Sequence, residues 1–187
     1  GSSVATIEKI QAVARRIAKI SAHHRCVVVV SAMGDDTDFL LELAATLNPC
    51  QHPREYDMLL ATGEQKTIAL LSMALREQHI AARSLTGWQA KIQTTAQHAH
   101  ARIVHIDTHM IEACWENHEV PIIAGFQGVH DNEITTLGRG GSDLTAVALA
   151  AALHADECQI FTDVEGVYSA DPRLVPDAVK WSEMTYS

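Results

Sequence analysis

The run Cys26-Val27-Val28-Val29-Val30-Ser31-Ala32-Met33-Gly34 decides how this chain folds. Five successive apolar residues without polar alternation fit a strand buried on both faces of a parallel sheet. The change to Ser, Ala and Gly marks the strand's carboxyl end. Similar runs return at Val120-Pro121-Ile122-Ile123-Ala124, followed by Gly125-Phe126-Gln127-Gly128, and at Gln159-Ile160-Phe161, followed by Thr162-Asp163. Residues 81–85 and 102–106 are further strand candidates. Helical patterns lie between them, at roughly 38–47, 64–79, 108–117 and 142–153. At the start, Val4, Ile7, Ile10, Val13, Ile17 and Ile20 recur at helical spacing, with Ser2 or Ser3 as the expected cap. Alternating strands and helices predict an α/β fold with a mostly parallel sheet and right-handed crossovers. The segment Asn48-Pro49-Cys50-Gln51-His52-Pro53 reads as a surface loop within one domain spanning 1–187.

Small, polar and glycine residues follow each apolar run, at the sheet edge where open α/β folds bind ligands. The most informative such stretch is Gly138-Arg139-Gly140-Gly141-Ser142-Asp143, which opens the alanine-rich segment 144–153. The expectation is a helix with Ser142 as its cap, its free N–H groups and positive dipole end facing a ligand. Arg139 offers a planar fork for carboxylate or phosphate, and Asp143 a partner for an ammonium group. Together they suit a ligand with both charges, such as an amino acid. The simpler reading is a glycine-rich turn before a capped helix. The motif lacks the Gly-Lys-Ser/Thr of a P-loop, and Asp143 stands where a dinucleotide fingerprint needs its third glycine.

Composition narrows the partners. The net charge of −9, with no local run of Lys or Arg, argues against nucleic acid. Cys26, Cys50, Cys114 and Cys158 form no C-x-x-C pair and read as mostly buried thiols of a reduced, cytoplasmic protein. No apolar run is long enough to cross a membrane. His98-Ala99-His100, with His105 and His109 after it, does not match zinc spacing, so no metal site is expected and these histidines are assigned to the surface.

Six stretches carry a family resemblance: Ser31-Ala32-Met33-Gly34, Thr62-Gly63-Glu64, Ser84-Leu85-Thr86-Gly87-Trp88-Gln89-Ala90, Ala124-Gly125-Phe126-Gln127-Gly128, Thr135-Thr136-Leu137-Gly138-Arg139-Gly140-Gly141-Ser142-Asp143 and Thr162-Asp163-Val164-Glu165-Gly166-Val167-Tyr168. In order and spacing they resemble the catalytic domain of the aspartokinases, within the amino acid kinase family. The resemblance implies a three-layer α/β/α sandwich and transfer of the γ-phosphoryl group of Mg-ATP to the β-carboxylate of L-aspartate. That reaction gives 4-phospho-L-aspartate, the entry to lysine, threonine and methionine synthesis. ATP and Mg²⁺ are the implied cofactors, and a homo-oligomer the implied full-length assembly.

Residue by residue, the resemblance assigns the aspartate α-carboxylate to Arg139, with the N–H groups of Gly140, Gly141 and Ser142 nearby. It assigns the amino side to Asp143 and Glu64, with a hydroxyl contact from Thr37. Ser31 would face the phosphates. Thr162, Asp163 and Tyr168 would line adenine and ribose, with Asp171 and Arg173 behind. Each has a plainer reading. Thr62-Gly63-Glu64 also reads as a loop with Glu in a helix's first turn, Thr37 as a helix start, Asp171-Pro172-Arg173 as a turn and Tyr168 as core. Trp88 fits either the substrate mouth or the core.

The chain departs from the family pattern at both ends. It begins at Gly1-Ser2-Ser3, matching only the tail of the family's Lys-Phe-Gly-Gly strand. It stops at Tyr186-Ser187, before the regulatory ACT domains that usually follow. The expectation is a catalytic domain truncated at both ends, with little activity alone because a phosphate-facing lysine is missing. The alternatives are a kinase for another carboxylate, such as glutamate or acetylglutamate, and a non-catalytic ligand-binding or regulatory module of the same fold.

Overall fold

The segment Val120–Ala124 (β5) is buried at every position. It is the middle strand of a parallel sheet, flanked by Val28–Val30 (β1) and Ala82–Leu85 (β2). The computed structural model describes residues 1–47, 52–162, 177 and 179. The remaining elements are helices α1 (Ile7–Ser21), α2 (Asp36–Leu47), α3 (Pro53–Glu77), α4 (His109–Glu116) and α5 (Gly141–Ala152), and strands β3 (Ile92–Thr94), β4 (Ile103–Ile106), β6 (Gln127–His130) and β7 (Glu133–Thr136). A single 3₁₀ turn, Ser2–Val4, precedes α1. No helix among the described residues is long and apolar enough to cross a membrane.

Strand side chains alternate between faces, so a strand with apolar residues at every position must have a core on each side. Val28, Val30, Ile122, Ala124 and Ala82 join Ile10, Ala14, Ile17, Ile68, Leu71 and Leu75 of α1 and α3 in one core. Val29, Ile123 and Leu85 join Ile111 and Cys114 of α4 and Leu149 of α5 in the other. The result is the expected α/β/α sandwich.

Pro121 is unusual in a central strand because it cannot donate to a ladder. The Gly125 N–H donates to the Val30 carbonyl at 2.9 Å. Stepping back along both strands by two residues, twice, brings Pro121 opposite the Cys26 carbonyl. That carbonyl instead accepts from the Trp115 indole Nε1 at 2.9 Å. The missing donor is thus replaced from α4.

A second, four-stranded sheet was not expected. Its order is β4-β3-β6-β7, antiparallel except between β3 and β6. Residues 102–106 do form a strand, but in this sheet. Strands β6 and β7 make a hairpin whose two loop residues, Asp131 and Asn132, lie at φ +47° and +68°. Two left-handed residues in a two-residue loop match the twist of paired strands, and Asp and Asn tolerate them.

Thr6, not Ser2 or Ser3, caps α1, its hydroxyl accepting from the Lys9 N–H at 3.3 Å. Helix α3 starts at Pro53, well before the expected residue 64, because Pro is suited to a first helical position. Of the expected loop at 48–53, residues 48–51 lie outside those described. The run Gln159-Ile160-Phe161 is exposed and forms no strand. It finds no ladder partner among the described residues; the Arg16 guanidinium lies 4.0 Å over the Phe161 ring, and Ser3 Oγ donates to the Phe161 carbonyl. Of the cysteines, Cys114 is buried, Cys26 partly so and Cys158 exposed; Cys50 is outside the described residues.

Candidate active site

Two glycines bring α3 and α5 close against the carboxyl ends of β1 and β5. A Cβ on Gly125 would lie 2.7 Å from Ser142 Oγ and 2.9 Å from Ser142 Cα, so glycine lets the first turn of α5 approach the end of β5. A Cβ on Gly63 would lie 2.9 Å from Ala32 Cβ, so α3 packs directly on the end of β1. Thr62-Gly63-Glu64 is therefore mid-helix, not a loop before a helix: this glycine serves close packing, not chain reversal.

Helix α5 starts earlier than expected. Gly140, at φ +75°, takes the cap position, and Ser142 lies inside the first turn. The Gly141 N–H donates to the Gly138 carbonyl at 3.0 Å, closing the turn that carries Arg139. Thr145 locks this start to the β5 end: its hydroxyl donates to the Gly141 carbonyl at 2.7 Å and accepts from the Phe126 N–H at 3.2 Å. On the far side no described residue comes within 4 Å of a Cβ on Gly140. Arg139 and Asp143 are exposed there, and Arg139 has no ion pair among the described residues.

Glu64 faces the same edge from α3. It is only 3% exposed. Oε1 accepts from the Ala32 N–H at 3.0 Å, while Oε2 is buried with no hydrogen-bond partner among the described residues. Burial pushes its pKa to about 7, against the lowering effect of backbone hydrogen bonds. A carboxylate starved of solvent, with one free oxygen, attracts a cation. The Gly1 nitrogen donates to Ser31 Oγ and, at 2.6 Å, to the Ala32 carbonyl. Glu64, Asp143 and Asp36 lie around it. Ser31, Glu64 and Asp143, distant in sequence, thus converge around one nitrogen.

Thr37 is half-buried at the second position of α2. Its neighbour Asp36 pairs with Lys66 of α3, a cation overlooked in the sequence. Lys66 lies two residues past Glu64, and that proximity to the Thr-Gly-Glu stretch was the available signal. Thr162 is exposed, and Asp163, Tyr168, Asp171 and Arg173 lie outside the described residues. Trp88 is 47% exposed and lines a cavity of about 270 Å³ with Gln65, Thr86, Gln89 and Gln127. It is not core.

The model of the amino acid kinase family matches residues 1–187. The chain belongs to the amino acid kinase family. Among curated members, it is 56% identical to aspartokinase 2 of Bacillus subtilis and 53% identical to an aspartokinase of Pseudomonas aeruginosa. Both matches cover 100% of this chain and 46% of the relative, so the chain spans about half the length of the proteins it matches. The crystal structure of an aspartate kinase from Synechocystis is 51% identical, with a TM-score of 0.76 over 96% of this chain and 30% of that one. E. coli aspartokinase III in complex with aspartate and ADP is 26% identical, with a TM-score of 0.82 over 97% of this chain and 52% of that one.

Proposed function

We propose that this amino acid kinase domain is the catalytic part of an aspartokinase, transferring the γ-phosphoryl group of Mg-ATP to the β-carboxylate of L-aspartate in the cytoplasm. One observation carries the reading: an open, arginine-bearing helix start and a desolvated carboxylate pocket share one sheet edge. An α-amino acid brings the two complementary charges. The similarity to aspartokinases, one of them described with aspartate and ADP, supports the same ligand pair.

In this reading Arg139 grips the α-carboxylate, helped by the N–H groups at Gly140 and Ser142, while the Gly141 N–H stays in its turn bond to the Gly138 carbonyl. Glu64 and Asp143 attract the ammonium group, and Thr37 adds a hydroxyl. The β-carboxylate is then held toward the γ-phosphorus. One of its oxygens bonds to phosphorus as the bond to the β-phosphate oxygen breaks and ADP leaves. A carboxylate is already ionised, so no general base is required. The protein's work is alignment and charge compensation. Ser31 faces the phosphates, and Thr162, Asp163, Tyr168, Asp171 and Arg173 are assigned to the nucleotide. We assign Mg²⁺ to the triphosphate, since this ion keeps several waters and needs only one or two protein carboxylates.

Coupled measurement of ADP release with aspartate, glutamate and acetylglutamate tests the reading, alongside calorimetric titration of aspartate into wild type and Arg139→Lys. Aspartate should be preferred. The variant should lose about 1–3 kcal/mol of aspartate binding, because lysine keeps the charge but not the fork. Equal turnover of glutamate, or unchanged aspartate affinity in the folded variant, overturns it.

A further inference from the structure

Asp57 is a carboxylate with no solvent exposure, seven residues before Glu64 on α3. Such a group persists in a fold only when it is fully hydrogen-bonded, and here every partner comes from another segment. Thr136 Oγ1 donates to Oδ1 at 2.5 Å. The Ala99 N–H donates to Oδ1 at 3.0 Å and to Oδ2 at 3.2 Å. His98 Nδ1 lies 2.6 Å from Oδ2. His98 is therefore half-buried and structurally engaged, whereas His105 and His109 are exposed as expected.

These partners flank the arginine loop. Thr136 ends β7, two residues before Gly138. Its carbonyl accepts from the Ala101 N–H at 2.9 Å, so the segment 98–101 is fixed to β7 from both sides. That segment forms a ledge beneath Gly138: a Cβ there would lie 3.1 Å from His100 Nδ1 and 3.3 Å from the Ala99 carbonyl. Gly138, at φ +82°, begins the turn that presents Arg139.

We infer that Asp57 is a positioning residue, joining α3, the ledge 98–101 and the end of β7 into one clasp that sets where Arg139 meets the substrate carboxylate. The inference rests on the reading of Arg139 as the aspartate clamp. It assigns Asp57 no contact with substrate. Replacing a buried acceptor outright, as in Asp57→Leu, endangers the fold, so Thr136→Val is the sharper probe, with Thr136→Ser as the conservative rescue.

In the full-length enzyme, Thr136→Val should raise the KM for aspartate about tenfold, the scale of one lost hydrogen bond to a charged group. The KM for ATP and kcat should hold, and Thr136→Ser should restore wild-type values. Amide hydrogen exchange at Gly138–Gly141 should accelerate in Thr136→Val and not in Thr136→Ser. Equal KM increases for both substrates, or failure of the serine to rescue, would show a merely structural hydroxyl. If Arg139→Lys leaves aspartate affinity unchanged, the reading of the site fails. The clasp is then judged on exchange alone, and unaltered protection at Gly138–Gly141 overturns it.

Discussion

Replacing Glu64 with glutamine should stabilise this protein while weakening its hold on aspartate. In the native state the Glu64 pKa rises from 4.5 to about 7, chiefly through burial. Between those values folded Glu64 keeps its proton while the unfolded chain has lost it. The native state binds more protons, so stability falls as pH rises through this window and levels off above about 7. At about 1.4 kcal/mol per unit, the ionised side chain costs about 3 kcal/mol at pH 8 and less than about 1 kcal/mol at pH 5. Glutamine keeps an oxygen for the Ala32 N–H and carries no charge. Thermal melting should therefore show Glu64→Gln near wild type at pH 5 but more stable at pH 8, by roughly 6–12 °C for a domain of this size. Calorimetry supplies the functional half: aspartate binding to wild type at pH 6 should release about one proton, as the ammonium group draws Glu64 into its ionised form. Glutamine should abolish that release and weaken binding. Parallel stability curves for the two proteins from pH 5 to 8 would refute the argument.

Three further substitutions probe separate parts of the fold. Gly125→Ala places a methyl group against Ser142 backbone and side chain; denaturant unfolding should show a loss of about 1–3 kcal/mol, the usual cost of overpacking. Gly140→Ala meets open space but must hold φ +75°, so it should lose only about 1–2 kcal/mol through left-handed strain, and aspartate affinity should fall as the cap distorts. Thr6→Ala removes the α1 cap and should cost about 1 kcal/mol in the same assay, without effect on either ligand.

The parallel sheet was legible because β1 and β5 are apolar on both faces, which few other structures require. The second sheet was not, since β3 is three residues long and β6 begins Gln127-Gly128; short polar strands leave no periodic signal. The glycine-rich helix start was found, but its cap was misplaced because Gly140 takes a left-handed conformation that no local pattern announces. Gly63 answers to Ala32, thirty-one positions upstream, a packing contact that no local pattern reveals. Glu64 could be named from its motif, yet its burial depends on β1. His98 gave no sign of its partner, because a buried carboxylate forty-one residues away is invisible to spacing rules.

The seven-residue interval between Asp57 and Glu64 makes α3 a fixed gauge. Seven steps at 100° return a helix almost to the same bearing, about 10 Å further along. One end of that gauge holds the exit of β7, and the other, through Ala32, the exit of β1. Inserting or deleting one residue between them would swing one carboxylate about 100° off its partner, whatever the inserted residue. Length variation should therefore be tolerated in the Asp131-Asn132 hairpin loop but not in this stretch of helix, where the count of residues matters as much as their identity.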